Sequence, residues 1–269
     1  MNMISKKVGF IGCGNMAKAM ISAIVKSGLV ESENIIASNR SIESLESIGK
    51  QYNISIAKDN IELAKKCDII FLAVKPNLYQ KVMNEIKDYV AKDKIYVSIA
   101  PGKTIDFLED GLGKETKILR TMPNTPSMVG EGMTAICPNN NIDSEELELM
   151  KKLIGSFGIA ELIEEKLFDA VVAVSGSSPA YIFMFIEAMA DAGVLQGMPR
   201  AQAYRFAAQA VLGSAKMVLE LEKHPGELKD MVCSPGGTTI EAVAVLEERG
   251  MRSAVIEAMR VCADKSKKM

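Results

Sequence analysis

Up to about residue 162, short apolar runs alternate with segments whose apolar positions recur at helical spacing. The apolar runs predict strands over residues 7–11, 34–37, 68–74, 95–99, 117–120, 134–137 and 160–162, with a shorter one near 54–56. Amphipathic stretches such as 77–90 and 144–157 predict the helices between them. Strands alternating with helices give βαβ units, hence an α/β fold with a mostly parallel sheet. Right-handed crossovers place the strand C-termini along one edge, where ligands of open α/β sheets lie.

Beyond Glu164 the strand pattern stops. Residues 166–174, 201–222, 239–249 and 251–265 all read as helix. Residues 180–196 are apolar nearly all round, broken only by Glu187, Asp191 and Gly193. That pattern predicts a buried helix. It is too interrupted for a membrane span of about 20 mostly apolar residues. Gly197 and Pro199 predict the end of this helix and the first turn of the next. His224-Pro225-Gly226 predicts a helix break with His224 on the surface. The chain divides into an α/β domain over 1–163 and an all-helical domain over 164–269. So much apolar helical surface predicts a dimer interface; the alternative is helices folded back on the first domain.

Hydrophobic residues make up 48% of the 269, ample for a core. The net charge is −2 and the basic residues are scattered, so no nucleic-acid footprint is expected. Cys13, Cys67, Cys137, Cys233 and Cys262 are far apart and form no C-x-x-C pair. Free thiols in a reducing cytoplasm are expected, with neither disulfide nor metal site. A single histidine, His224, argues against a histidine triad. No apolar run follows a basic start, so no signal peptide is expected.

The first predicted strand runs into Ile11-Gly12-Cys13-Gly14-Asn15-Met16-Ala17 and then a helix-forming stretch, 18–26. Strand, G-x-G-x-x-A turn and helix in that order suit a dinucleotide pyrophosphate. Gly12 allows the tight turn, Gly14 lets the backbone approach the phosphates, and Ala17 is small enough for close helix–strand packing. The helix N-terminus supplies free N–H groups and partial positive charge. The first domain is therefore expected to be a Rossmann dinucleotide-binding domain. The second strand ends in Ser38-Asn39-Arg40, where an NAD enzyme usually carries an acid. A carboxylate would repel a 2′-phosphate, whereas Arg40 accepts one. NADPH is therefore expected, with NADH as the alternative.

Two more strand ends, Ala73-Val74-Lys75-Pro76 and Ala100-Pro101-Gly102, are expected to line the ribose and nicotinamide with backbone. Lys75 reads equally as a phosphate contact and as a turn cation. In the helical half, Cys233-Ser234-Pro235-Gly236-Gly237-Thr238-Thr239 offers successive N–H groups at a helix start, suited to a carboxylate. The alternative is a proline–glycine turn with a threonine N-cap. Ser175, within Ser175-Gly176-Ser177-Ser178-Pro179, and Asn124, within Met122-Pro123-Asn124-Thr125-Pro126, are candidate ligand contacts. Cys233 has no neighbouring base and reads as a buried thiol.

Together these segments resemble the pyrroline-5-carboxylate reductase family almost end to end. The most specific stretches are His224-Pro225-Gly226-Glu227-Leu228-Lys229-Asp230 and Ser234-Pro235-Gly236-Gly237-Thr238-Thr239-Ile240. The resemblance implies NAD(P)H-dependent reduction of L-1-pyrroline-5-carboxylate to L-proline. It also implies a helical domain that interlocks as a homodimer, often within a larger ring. Carried over by motif, cofactor contacts fall on Ile11, Gly12, Cys13, Gly14, Asn15 and Met16, and on Asn39, Arg40 and Asn60. They continue over Ala73, Val74, Lys75, Pro76, Ala100, Pro101 and Gly102. Substrate contacts fall on Ser234, Gly236, Gly237, Thr238 and Thr239, with the partner subunit as an alternative donor of this loop. Thr239 matches the family's substrate-contacting threonine, and Met231 stands where some members carry a polar amide.

Alcohol dehydrogenation needs a positioned proton carrier. Related hydroxyacid dehydrogenases place a lysine on the long interdomain helix, and residues 180–196 contain neither lysine nor histidine. An imine suits the chain better, because its protonated nitrogen already activates the carbon. Another NADPH-linked imine reductase or a hydroxyacid dehydrogenase is the rival reading, and a non-catalytic NADPH-binding protein is a third.

Overall fold

The computed structural model describes residues 3–268. Its order is β1 (Val8–Ile11), α1 (Asn15–Ser27), β2 (Ile35–Ser38), α2 (Ile42–Tyr52), β3 (Ser55–Ile56) and α3 (Asn60–Lys66). There follow β4 (Ile69–Leu72), α4 (Tyr79–Ile86), β5 (Ile95–Ser98), α5 (Ile105–Leu112), β6 (Lys117–Met122) and β7 (Gly132–Pro138). Next come α6 (Ser144–Ile154), β8 (Gly158–Leu162), α7 (Phe168–Val171), α8 (Ser178–Leu195) and α9 (Arg200–Leu221). The chain closes with α10 (Pro225–Val232), α11 (Thr238–Glu248) and α12 (Met251–Ser266).

The strands form one sheet in the order β3-β2-β1-β4-β5-β6-β7-β8. Every pairing is parallel except β6 with β7. The central strands are buried on both faces, so their apolar residues are continuous. The two-residue period still sorts them. Val8, Phe10, Ile69, Phe71, Ile95 and Val97 face α1 and α6 residues such as Met20, Ile24 and Leu153. Ile11, Ile70, Leu72 and Tyr96 face α3, α4 and α5 through Leu63, Met83 and Leu108. A Cβ on Gly9 would lie 2.6 Å from Leu63 Cδ2, so glycine lets α3 seat against β1.

The predicted strand over 68–74 is shorter here. Ala73 and Val74 leave the ladder because the chain turns at Lys75-Pro76. The predicted helix over 77–90 is α4 flanked by single 3₁₀ turns.

Compactness divides the chain into Met1–Ser177 with Cys262–Met269, and Ser178–Val261. The boundary expected at 163/164 differs from this division. Arg120, buried on β6, donates from Nη1 to Glu165 Oε1 at 2.8 Å. The Ile105 N–H donates to the same oxygen at 2.7 Å, and the guanidinium lies 4.3 Å above the Phe168 ring. These contacts fasten the first helical turns to the sheet unit. Ser266 adds a hydrogen bond to Asp169 at 2.6 Å, from the returning chain end.

In the helical unit α8 packs along α9. Ala190, Ala203 and Ala207 are buried there, and a Cβ on Gly193 would lie 3.3 Å from Ala203 Cβ. Small residues thus set a close approach. The expectation that residues 180–196 are buried fails within one chain. Only Ala190 of α8 is buried, while Phe183 is 62% and Met184 68% exposed. Among the described residues α9 packs along α8 and leaves most of its apolar side chains uncovered. By length and composition alone, Glu165–Leu195 reaches the requirement for a membrane span, with mean hydropathy 1.4.

A further difference is α10. The predicted break at His224-Pro225-Gly226 is also a helix start. Pro225 holds the first helical position, and the exposed His224 caps it by accepting from the Gly226 N–H at 3.0 Å. Pro199 caps α9 rather than occupying its first turn.

Candidate active site

The connection after β3 crosses to the other side of β1, so β1 lies between β2 and β4. This reversal opens a crevice at the strand C-termini. Gly12 leaves β1 there with its N–H on Ser38 O at 2.9 Å, and the Ala73 N–H donates to Ile11 O at 2.8 Å. The strand ends are thereby clamped together. Gly12 has φ +98°, and a Cβ on it would lie 2.6 Å from Ala73 O. Glycine is required twice over, by conformation and by contact.

Gly14 is the N-cap of α1, with no side-chain cap and no acid in the first turn. A Cβ at Gly14 would meet nothing within 4 Å. The space beside the N-cap of α1 is therefore free of side chains, which fits a pyrophosphate at a helix start that has free N–H groups. Ala17, in the third small position, is buried against the core.

One cleft of about 730 Å³ gathers many of the expected cofactor residues. Ile11, Gly12, Cys13 and Gly14 form its floor, with Asn39, Arg40 and Asn60 toward β2 and Ala73, Val74 and Lys75 at the end of β4. Asn15, Met16, Pro76, Ala100 and Pro101 do not line it. Gly102 lines a separate hollow of about 370 Å³ beside Arg120 and Glu165. The thiol of Cys13 is no nucleophile, since burial pushes it up to about 11, with Lys18 pulling slightly the other way.

Several cleft residues escaped sequence reasoning. Lys58 and Asp59 come from the turn after β3, and Lys81 and Glu85 from one face of α4. The i,i+4 spacing of Lys81 and Glu85 was the signal, but only the tertiary fold shows which face of α4 meets the cleft. The Asp59 carboxylate is spent capping α3, accepting from the Glu62 N–H at 2.7 Å. Tyr79 carries no motif in the sequence that marks its role. It is fully buried, and its hydroxyl donates to Leu72 O at 2.5 Å. The same oxygen accepts from Ser98 Oγ at 3.2 Å and the Ile99 N–H at 3.3 Å. One phenol thus ties the ends of β4 and β5 together.

Asn124 was a candidate ligand contact. In the structure it is buried and its amide serves as a clasp. Nδ2 donates to Ser175 O at 3.0 Å and Oδ1 accepts from the Met133 N–H at 2.9 Å. The Ser175 hydroxyl turns back onto Val171 O at 3.2 Å, within a π-helical turn at Val172–Gly176. In the helical unit, Ser234 accepts from the Gly237 N–H at 3.0 Å and Gly236 sits at φ +66°. Gly237 is the N-cap of α11, with no side-chain cap, so Thr238 and Thr239 are its first two residues. The predicted alternative of a threonine N-cap is not formed, and both hydroxyls are left for other partners. Thr239 is half-buried, and Ser234, Gly236 and Thr238 are exposed. Among the described residues no cluster of three or more His, Cys, Asp or Glu is arranged to hold a metal.

Comparison with known proteins decides the family. A pyrroline-5-carboxylate reductase of Escherichia coli K12 is 55% identical over 99% of both chains. The chain belongs to the pyrroline-5-carboxylate reductase family. A member from Methanosarcina acetivorans is 42% identical over 99% of both chains. The solved Plasmodium falciparum pyrroline carboxylate reductase with NADP bound superposes with a TM-score of 0.91, at 36% identity and 99% coverage of each chain. Residues 165–269 match the model for pyrroline-5-carboxylate reductase dimerisation. Residues 7–102 match that for NADP oxidoreductase, coenzyme F420-dependent. The exposed α8 thus falls within a segment typed as a dimerisation domain in this reductase family, and the N-terminal half is Rossmann-like.

Proposed function

We propose that this chain reduces L-1-pyrroline-5-carboxylate to L-proline with NADPH, in the cytoplasm, as a homodimer joined through residues 164–269. The dimer is further proposed to assemble into a ring, without nucleic-acid or membrane partners. The reading rests above all on the cleft where the sheet order reverses. Gly12 makes the turn at the end of β1, Gly14 leaves open space beside the start of α1 for a pyrophosphate, and the end of β2 carries Ser38, Asn39 and Arg40 in place of an acid. Family membership over the full chain supports the reaction.

NADPH, when bound, supplies the hydride for the imine carbon. The chain does the rest. The α1 N-terminus would hold the pyrophosphate, Arg40 would receive the 2′-phosphate, and Ala73, Val74 and Lys75 at the end of β4 would orient the ribose; Pro76 and Ala100–Gly102, which lie outside the cleft, are assigned to the nicotinamide end by motif alone. The Gly236–Thr239 amides hold the substrate carboxylate, and the Thr239 hydroxyl stays on the ring nitrogen. A protonated imine needs no strong acid from the protein. Proximity and orientation of the two reacting carbons then carry most of the acceleration.

NADPH and NADH consumption with pyrroline-5-carboxylate tests this. Oxidation of NADPH with formation of proline is expected. The same preparation should leave NADP⁺ unreduced with β-hydroxyacids. Turnover of a β-hydroxyacid without turnover of the imine would overturn the assignment.

A further inference from the structure

A carboxylate looks misplaced in a cleft that the reading above fills with phosphates. Glu85 nevertheless lines it, reaching in from α4 one turn after Lys81. Its Oε2 accepts from Asn60 Nδ2 at 2.9 Å. Asn60 Oδ1 in turn accepts from the hydroxyl of buried Ser38 at 2.7 Å. This chain of bonds settles which way the Asn60 amide points. The second oxygen of Glu85 has no partner among the described residues.

The position of these groups indicates what they meet. The pyrophosphate belongs at the end of β1, so the side of the cleft formed by β2 and the start of α3 takes the adenosine half. Ile42 at the start of α2, Leu78 just before α4 and Val82 within it also line the cleft and offer aliphatic surface to a flat ring. Glu85 follows Val82 by three residues on the same face of α4, so a base packed on Val82 has its edge within reach of Glu85. An ionised carboxylate can only accept hydrogen bonds. At the exocyclic position adenine carries an amino donor and hypoxanthine a carbonyl acceptor; the hypoxanthine donor on that edge is the neighbouring ring N1–H, displaced from the position the amine occupies.

We propose that Glu85, held by the Ser38–Asn60 chain, selects adenine by accepting a hydrogen bond from its exocyclic amine. A carbonyl at that position would face the carboxylate lone pair to lone pair. Glu85 thereby discriminates bases, while the nearby cations answer the phosphates. The inference rests on the cofactor reading given above.

Calorimetric titration of the purified full-length protein with NADP⁺ and with its hypoxanthine analogue tests it at equilibrium, without turnover. The unmodified protein should bind the adenine form about tenfold tighter or more, as a site matched to a donor at the exocyclic position rejects an analogue that presents an acceptor there. Glu85→Gln should bring the two affinities to within about threefold, because a side-chain amide both donates and accepts. Equal affinities in the unmodified protein would overturn the inference and leave the cofactor reading standing. So would a Glu85→Gln variant that weakens both ligands by one factor with the ratio intact. Failure of NADP⁺ itself to bind would overturn the cofactor reading and this inference with it.

Discussion

At the scale of single residues, chemistry is set by environment as much as by type. Thr239 is half-buried in the first turn of α11, with no capping duty to occupy its hydroxyl. Removing that hydroxyl should leave cofactor affinity intact and slow turnover. Thr239→Ala is expected to lower kcat about a hundredfold, the cost of a missing transition-state donor, with the NADPH Kd unchanged in a fluorescence titration. Cys13 and Cys67 show the opposite case, reactive groups silenced by position. Burial pushes their thiols up from 9.0 to about 11 and about 12. Above pH 9 the unfolded chain therefore loses these protons first and binds fewer than the native state. Stability is fully present below that pH and drains away as pH rises toward 11. Urea midpoints should fall between about pH 8 and 10, by on the order of 1 kcal/mol per thiol, and Cys67→Ala should flatten the slope. A midpoint that rises over that range would contradict the burial argument.

At the scale of elements, caps and glycines write the local signals. The G-x-G-x-x-A turn marks the start of α1, and Asp143 followed by Glu146 starts α6 as a reciprocal capping box. The Glu146 N–H donates to Asp143 Oδ1 at 2.9 Å, and the Asp143 N–H to Glu146 Oε2 at 3.3 Å. Asp143→Ala should cost about 1 kcal/mol, read as a lower urea midpoint at unchanged m-value. Legibility failed where one residue serves two structures. Proline and glycine at 225–226 break one helix and begin another, and breaker rules register only the break. Strand ends blurred for a related reason. Ala73 and Val74 are apolar, yet the turn at Lys75-Pro76 draws them off the ladder and into the cleft.

At the scale of the whole molecule, the helical half carries more apolar surface than one chain can cover. Phe183, Met184, Phe206, Leu219 and Ile256 are each at least 62% exposed. Obligate interfaces resemble a core cut in half, and exposed patches of this kind mark them. A charge planted in such an interface should prevent association. Phe183→Asp is expected to shift the mass seen by light scattering to that of one chain and to abolish turnover, because a buried aromatic anchor is worth about 2 kcal/mol or more. An unchanged mass would place the interface elsewhere.

The sequence by itself determined the α/β alternation, the glycine turn with its conformational demand, the acid-free end of β2 and the apolar excess of the helical half. All of these are local: they follow from spacing, from backbone sterics and from side-chain charge. The tertiary structure alone decided that Tyr79 ties β4 to β5, that Asn124 is a clasp, and that Lys81 and Glu85 face the cleft. Those outcomes depend on which residues distant in sequence are brought to one strand edge, and the sheet order β3-β2-β1-β4 makes that choice.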